Sequence, residues 1–322
     1  MNSPLAPHGV VLCVGEALVA LSPPDGTPLE SAHHLLVSEA GAEANVAVHL
    51  SRLGVPVRFA GAVGDDPLGR RLRGGLAAEG VDVSSLICDP DQPTGLYLKD
   101  PGPSATAVHY YRSGSAASAF SALPPEARDG ITHVHLSGIT PALSAACHDL
   151  VRDLLLESPG VTTSFDVNHR PALWPADVAG PVLLALAQLA DLVFVGLDEA
   201  AGLWDTPSLE ALRDLVPSPE LVVKDSGRAA HAFVSGAARA TAQALEVDVV
   251  EPVGAGDAFA AGYLAARRRG LDPAASLRTG HVVAAGALTV VADRGGAADP
   301  ALLAAAEKGR PWPVPVGGAK RS

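Results

Sequence analysis

The chain has 322 residues, 48% hydrophobic and 18% charged, which is ample for one large domain or a large and a small one. A net charge of -12 and a pI of about 5.3 argue against nucleic acid or an anionic membrane as partner. Cys13, Cys88 and Cys147 are too few and too far apart for a disulfide framework or a zinc site, and fit a reducing cytoplasm.

In chain order, the short apolar run at 10–14 predicts a buried strand. Residues 16–40 are irregularly patterned. Gly41 introduces a helix over 43–53, stopped by Gly54, and 57–61 is a second strand. Asp66 and Pro67 are an N-cap and first helical residue, for a helix that runs to about Glu79. Residues 94–99 and 107–112 predict two strands around the turn Asp100-Pro-Gly-Pro103, a hairpin placed to act as a lid. After residue 130, strands at 133–136, 163–167, 192–195 and 221–223 alternate with helices at 144–157, 178–189, 208–215, 256–269, 273–291 and 299–307. That alternation argues for an α/β fold with a parallel sheet covered by helices. The tail after Gly309, rich in proline, is expected to be loose.

Several features carry a plain structural reading. The clusters Arg70, Arg71, Arg73 and Arg267, Arg268, Arg269 read as solvated helix faces. His133 and His135 alternate on a strand with no third ligand near, so they read as strand packing. No apolar run approaches the roughly 18 residues of a membrane helix. The first basic residue is Arg52, so the N-terminus lacks the charged region of a signal peptide.

Chemistry concentrates in Glu251-Pro-Val-Gly-Ala-Gly-Asp-Ala-Phe-Ala-Ala-Gly-Tyr263. Gly254 and Gly256 permit a sharp turn and close approach to a ligand. Free N–H groups at the start of the following helix suit a phosphate. Asp257 stands where it could take a proton from a hydroxyl beside that phosphate. Taken alone, the segment fits a glycine-rich entry to a buried helix equally well. Phe259 occupies the place of the third glycine in G-x-G-x-x-G, and G-x-x-x-x-G-K-[ST] does not occur. The hairpin holds three of the four tyrosines, with Tyr97 and Lys99 on one strand face and Tyr110 and Arg112 on another. Tyrosines and an arginine on a lid strand suit a polar organic acid.

Taken together, Gly41-Ala-Glu-Ala-Asn45, Val63-Gly-Asp-Asp-Pro-Leu-Gly69, Thr94-Gly-Leu-Tyr97, Tyr110-Tyr-Arg-Ser-Gly-Ser-Ala-Ala117, Leu136-Ser-Gly-Ile-Thr-Pro-Ala-Leu143, Phe165-Asp-Val-Asn-His-Arg-Pro171 and Gly254-Ala-Gly-Asp-Ala-Phe259 resemble the ribokinase-like (PfkB-type) sugar kinases. The Tyr110 and Leu136 runs are similar to the 2-keto-3-deoxygluconate kinase branch. The resemblance implies a doubly wound, mostly parallel sheet with a small β lid drawn from about 16–41 and 94–118, in one kinase domain over 1–309. It implies ATP-dependent phosphorylation of 2-dehydro-3-deoxy-D-gluconate to its 6-phosphate, with ATP and Mg²⁺, an optional monovalent cation, and dimerisation through the lid.

Under that resemblance, Asp257 is the catalytic base, and Gly254, Ala255 and Gly256 form the anion hole. Gly41, Asn45, Tyr97, Tyr110 and Arg112 meet the substrate. Arg170 lies over the transferred phosphate or the substrate carboxylate. Glu199 holds Mg²⁺ through water. Asn168, Gly196, Lys224, Ser226, Gly227 and His281 join Gly254 and Gly256 around the nucleotide. Four departures bear on nucleotide affinity: Gly196 stands where relatives often have Asn or Ser; Lys224-Asp-Ser-Gly-Arg-Ala-Ala230 keeps one glycine; no Asn follows Asn168, leaving His281 nearest the adenine; and Arg294-Gly-Gly296 lacks an Asp. Two alternatives stay open: another kinase of the family, for fructose, ribose or a nucleoside, and a non-catalytic relative that binds sugar or nucleotide.

Overall fold

Strand β1 (Val10–Val14) sends Val11 and Cys13 into one hydrophobic core and Leu12 and Val14 into another, because successive side chains point to opposite faces. A strand buried on both faces reads as an unbroken apolar run, the mark of a parallel sheet with helices on each side. The computed structural model describes residue 5 and residues 8–102, 106–156, 160–289 and 295–310. The lid strands β2 (Leu18–Ser22) and β3 (Leu36–Ala40) follow β1, then the core strands β4 (Val57–Gly64) and β5 (Leu86–Asp89). Next come the hairpin β6 (Leu96–Pro101) and β7 (Thr106–Tyr111), and then β8 (Ile131–Ser137), β9 (Thr162–Asp166), β10 (Leu192–Gly196) and β11 (Glu220–Asp225). Two more strands, β12 (Ala229–Val234) and β13 (Ala240–Gln243), end the series.

The large sheet has nine strands in the order β13-β12-β11-β10-β9-β8-β1-β4-β5. It is parallel from β5 through β11, and the β11–β12 and β12–β13 pairings are antiparallel. The second sheet, β3-β2-β6-β7, is the lid. Helices α1 (Ala42–Arg52) and α2 (Pro67–Ala78) pack on one face of the large sheet. The other face is covered by α3 (Ala145–Leu156), α4 (Ala176–Ala187), α5 (Leu197–Trp204) and α6 (Leu209–Leu215). Returning to the first face, α7 (Ala255–Arg268) packs against α8 (Pro273–Leu288), which carries α9 (Pro300–Glu307).

The strands expected around 10–14, 57–61 and beyond 130 are present, with ends that differ by a few residues. Asp66 caps α2 as expected, accepting from the Gly69 N–H at 2.8 Å. Its second oxygen accepts from the Thr94 N–H at 2.8 Å, which ties the cap to the start of the lid hairpin. The irregular stretch 16–40 contains β2 and β3: Leu18, Ala20 and Ala40 pack with Tyr97 of the hairpin, while Val19, with Leu21 and Val37, packs on the main core. Strands β12 and β13 were not expected, since their alanine-rich sequences lack a strand signature; β12 is held by pairing with β11, and β13 by pairing with β12. The tail beyond residue 310, Arg294 and Pro103 lie outside the described residues. No helix among the described residues is long and apolar enough to cross a membrane.

One expectation is overturned. Arg267 and Arg268 are buried, and only Arg269 of that run is exposed. Helix α7 lies along the sheet, so its last turn faces the polar N-terminal ends of the strands. There Arg267 pairs with the fully buried Glu220, donating from Nε to Oε1 at 2.9 Å and from Nη2 to Oε2 at 3.0 Å. The Tyr263 hydroxyl donates to the same carboxylate. Arg268 donates to the Gly9 carbonyl at 2.8 Å. His133 and His135 are buried and bonded to strand hydroxyls: His133 to Thr162 and Ser164, His135 to Ser164.

Removing one member of a buried, bidentate pair strands the other charge. Glu220→Ala is expected to cost about 3–5 kcal/mol of stability, measured as a lower denaturant midpoint with unchanged slope. A loss below about 1 kcal/mol would mean that the pair behaves like an exposed one.

Candidate active site

The carboxyl ends of β9, β10 and β11, the turn after β1, and the first turns of α1 and α7 surround a cavity of about 570 Å³. The lid closes it from above with Leu18, Tyr97, Lys99, Val108 and Tyr110. The sheet explains the place. β1 sits between β8 and β4, so successive connections diverge there, and in open α/β sheets such a switch point leaves a crevice beyond the strand ends.

Asp257 stands in the first turn of α7, buried. The α7 N-cap, Gly254, has φ 82°, a left-handed conformation that glycine adopts without strain. First-turn N–H groups have no intrahelical acceptor and carry the positive end of the helix dipole. One is partly used, since the Ala255 N–H lies 3.4 Å from the Pro252 carbonyl. Two amides hold the Asp257 carboxylate: Asn45 Nδ2 donates to Oδ2 at 2.9 Å and Asn168 Nδ2 to Oδ1 at 3.3 Å. Burial pushes the Asp257 pKa up from 3.8 to about 6, against the Asn45 hydrogen bond and with help from the Asp166 charge. Asn45 Oδ1 is buried and has no partner among the described residues.

Asn168 adopts φ 43°, a left-handed turn that asparagine tolerates better than most residues. It brings the amide under Asp257, while Arg170 sits exposed at the rim, donating to the His169 carbonyl at 3.0 Å. Lys224, at the end of β11, donates to Asp166 Oδ2 at 2.7 Å and lies close to Gly256. Asp166 Oδ1 has no partner among the described residues. Glu199 accepts from the His169 and Gly196 N–H groups as part of a capped start to α5, and burial raises its pKa.

The lid side is equally polar. Tyr97 and Tyr110 pair across β6 and β7 with ring centroids 5.6 Å apart. The Arg112 guanidinium stacks on Tyr110 at 4.1 Å and donates to Glu16 Oε2 at 2.5 Å. Lys99 donates to Glu251 at 2.7 Å and so joins the lid to the loop before α7. Gly41 has φ 132°, and a Cβ there would lie 2.1 Å from the Glu16 carbonyl, so glycine is required by the neighbouring backbone.

The family model described as pfkB family carbohydrate kinase matches residues 10–299. The chain belongs to that family. It is 38% identical over 264 residues to a 2-dehydro-3-deoxygluconokinase from Bacillus subtilis (strain 168), covering 79% of this chain and 81% of that protein. It is 34% identical to a 2-dehydro-3-deoxygluconokinase from Thermoproteus tenax, covering 87% of this chain and 88% of the relative. The crystal structure of a 2-dehydro-3-deoxygluconokinase from Thermotoga maritima superposes with a TM-score of 0.80 at 25% identity, covering 89% of this chain and 94% of that one.

Of the residues singled out from sequence in this pfkB-family chain, Gly41, Asn45, Tyr97, Tyr110, Arg112, Asn168, Arg170, Gly196, Glu199, Lys224, Ser226, Gly254, Gly256 and Asp257 share the cavity wall. Three do not. The His281 ring packs on Phe259 and its Nε2 meets the Ala242 carbonyl at 3.2 Å, so it is turned into the core, where burial lowers its pKa to about 4. Gly227 is exposed at the β11–β12 turn, and Ala255 is not among the residues that line the cavity. Sequence reasoning missed Glu16 and Asp166, and placed Lys99 on a strand face without giving it a role; all three are in the wall. Asp166 opens the same Asp-Val-Asn-His-Arg run that pointed to Arg170, and a carboxylate at a strand end was the available signal.

A divalent cation fits this wall. Hard cations such as Mg²⁺ take oxygen ligands, often one or two carboxylates plus substrate phosphates. Asp166 offers an unpaired buried oxygen and Glu199 faces the same cavity. Among the described residues no cluster of three or more His, Cys, Asp or Glu could hold a metal, so phosphate oxygens would have to complete the ligand set.

Glu43, in the first turn of α1, also escaped notice. Its Oε1 accepts from Ser137 and Thr140 at 2.8 Å each, and Oε2 has no partner among the described residues. Burial raises its pKa from 4.5 to about 7, against those two hydrogen bonds. Between these values the folded state keeps a proton that the unfolded chain releases, so stability falls as pH rises through the window and levels off above it. Glu43→Gln removes that titration. The expected result is that wild type melts progressively lower relative to the variant as pH rises from about 4.5 to about 7. Parallel melting profiles would show that Glu43 does not titrate in this range.

Proposed function

We propose that this chain transfers the γ-phosphoryl group of ATP to the terminal hydroxyl of 2-dehydro-3-deoxy-D-gluconate, giving the 6-phosphate, with residues 1–309 as one kinase domain. The observation that carries the reading is one cavity with Asp257 and the α7 N-terminus on its floor and Arg112 in its lid wall. The names of the relatives support the keto-deoxy sugar acid as substrate.

In this reading the substrate chain spans the cavity from lid to floor. Arg112 takes the carboxylate, because its Nε and Nη2 have no partner among the described residues and form the edge that binds carboxylate bidentately. Tyr97 and Tyr110 flank it. Asn45 Oδ1 accepts from a substrate hydroxyl, the task left open by its bond to Asp257 through Nδ2. Asp257 takes the proton of the terminal hydroxyl as the oxygen forms its bond to the γ-phosphorus and the bond to the leaving ADP oxygen breaks. The N–H groups of Gly254 and Gly256, Lys224 and Arg170 meet charge that spreads over the phosphoryl oxygens, which is mainly positional and electrostatic work. Asp166 and Glu199 would hold Mg²⁺, which when bound offsets phosphate charge. The hairpin with Ser226 lies toward the nucleotide. The lid keeps water from the phosphoryl group.

The test is ADP release with Mg-ATP across keto-deoxy sugar acids, gluconate, fructose, ribose and adenosine. Turnover confined to the keto-deoxy acids is expected; turnover on a neutral sugar alone would overturn the substrate, and silence throughout would overturn the kinase reading. Asp257→Asn is expected to fold and to lose at least about 10²–10⁴ of turnover. Because the base must be ionised, kcat/KM should fall on the acid side with a midpoint near 6. A flat profile through that range would remove Asp257 from the proton transfer.

A further inference from the structure

The contact between Glu16 and Arg112 is built in a way the reaction alone does not explain. Glu16 lies in the turn after β1 and is 1% exposed; Arg112 follows β7 and is 8% exposed. They are 96 residues apart in sequence and meet at 2.5 Å through Nη1 and Oε2. Three further atoms of the pair, Arg112 Nε and Nη2 and Glu16 Oε1, are buried with no partner among the described residues. Polar atoms left this way are costly, and a cluster of them beside a cavity marks where a ligand completes the set.

Two of the binding surfaces of Arg112 are occupied. Its end-on nitrogen Nη1 is taken by Glu16, and its plane is stacked on Tyr110. What remains is the Nε–Nη2 edge, whose parallel N–H groups match the two oxygens of one carboxylate. We propose that Glu16 is a positioning residue that fixes this edge for the substrate carboxylate and thereby sets the preference for sugar acids over neutral sugars. The assignment rests on the sugar-acid reading given above.

Two consequences follow from the pairing. Glu16 holds the guanidinium in one rotamer against the ring, so the carboxylate meets donors already in place rather than a mobile arginine. It also cancels the arginine's charge, so the wall attracts by geometry rather than by a net positive field. Burial raises the Glu16 pKa while Arg112 opposes the rise, in keeping with a carboxylate kept in place by its partner rather than by water.

The experiment compares wild type, Glu16→Ala and Glu16→Gln with Mg-ATP, the keto-deoxy acid, and the neutral ketose that carries a hydroxymethyl group in place of the carboxylate. Glu16→Ala is expected to raise KM for the acid by about tenfold or more with kcat within about threefold, the sign of lost ground-state binding. KM for ATP and the inhibition constant of the neutral ketose should stay put. Glu16→Gln should restore the acid KM to within about threefold of wild type, because its amide oxygen still accepts from Nη1. If Glu16→Ala does not fold, Glu16→Asp, which withdraws the carboxylate by one methylene, is read in the same way. Equal weakening toward acid and neutral ketose, or a Gln variant as weak as Ala, would overturn the assignment while leaving the sugar-acid reading intact. Absence of turnover on the acid by wild type, with turnover on a neutral sugar, would overturn both.

Discussion

The site depends on one desolvated carboxylate held from two sides. Asp257 receives Asn45 from 212 residues away and Asn168 from 89 residues away. Neither amide can move without its helix or strand, so α1, β9 and α7 must dock together before the carboxylate has a fixed position. Burial there makes the charged form expensive and raises the pKa to about 6, while the amides and the helix N-terminus keep ionisation within reach at neutral pH. A carboxylate balanced in this way can accept a proton and release it again.

Around it the wall is made of ion pairs rather than isolated charges. Asp166 holds Lys224, Glu16 holds Arg112, and Glu251 holds Lys99. In each pair one member is offered to the cavity by a strand end or lid strand, and the other keeps it from collapsing onto a neighbour. The Lys99–Glu251 contact ties β6 of the lid to the loop that turns into α7.

The glycine-poor loop, one of the departures that bear on nucleotide affinity, forms a defined turn. Residues 225–228 form a tight turn between β11 and β12, with Ser226 at φ 47° and Arg228 bonded to Asp225. The rigidity that glycines would have removed is kept, and Ser226 occupies the left-handed position itself. The turn therefore has a fixed backbone shape beside the start of α7.

The sequence by itself determined the alternating strands and helices, the Asp66 cap, the glycine turn before α7 and the family, because each rests on local periodicity, turn chemistry or a contiguous motif. Asp257, Arg112 and Tyr110 could be singled out for the same reason. Only the tertiary structure decided what these side chains face. It turned His281 into the core, buried Arg267 and Arg268, gave β12 and β13 their pairing, and revealed Glu16, Glu43, Lys99 and Asp166 as parts of the wall or its support. Their meaning lies in partners many residues away, such as Glu16 with Arg112 and Asp166 with Lys224. A residue's local sequence reports its backbone preference, whereas burial and charge pairing are set by segments that meet only when the sheet has formed.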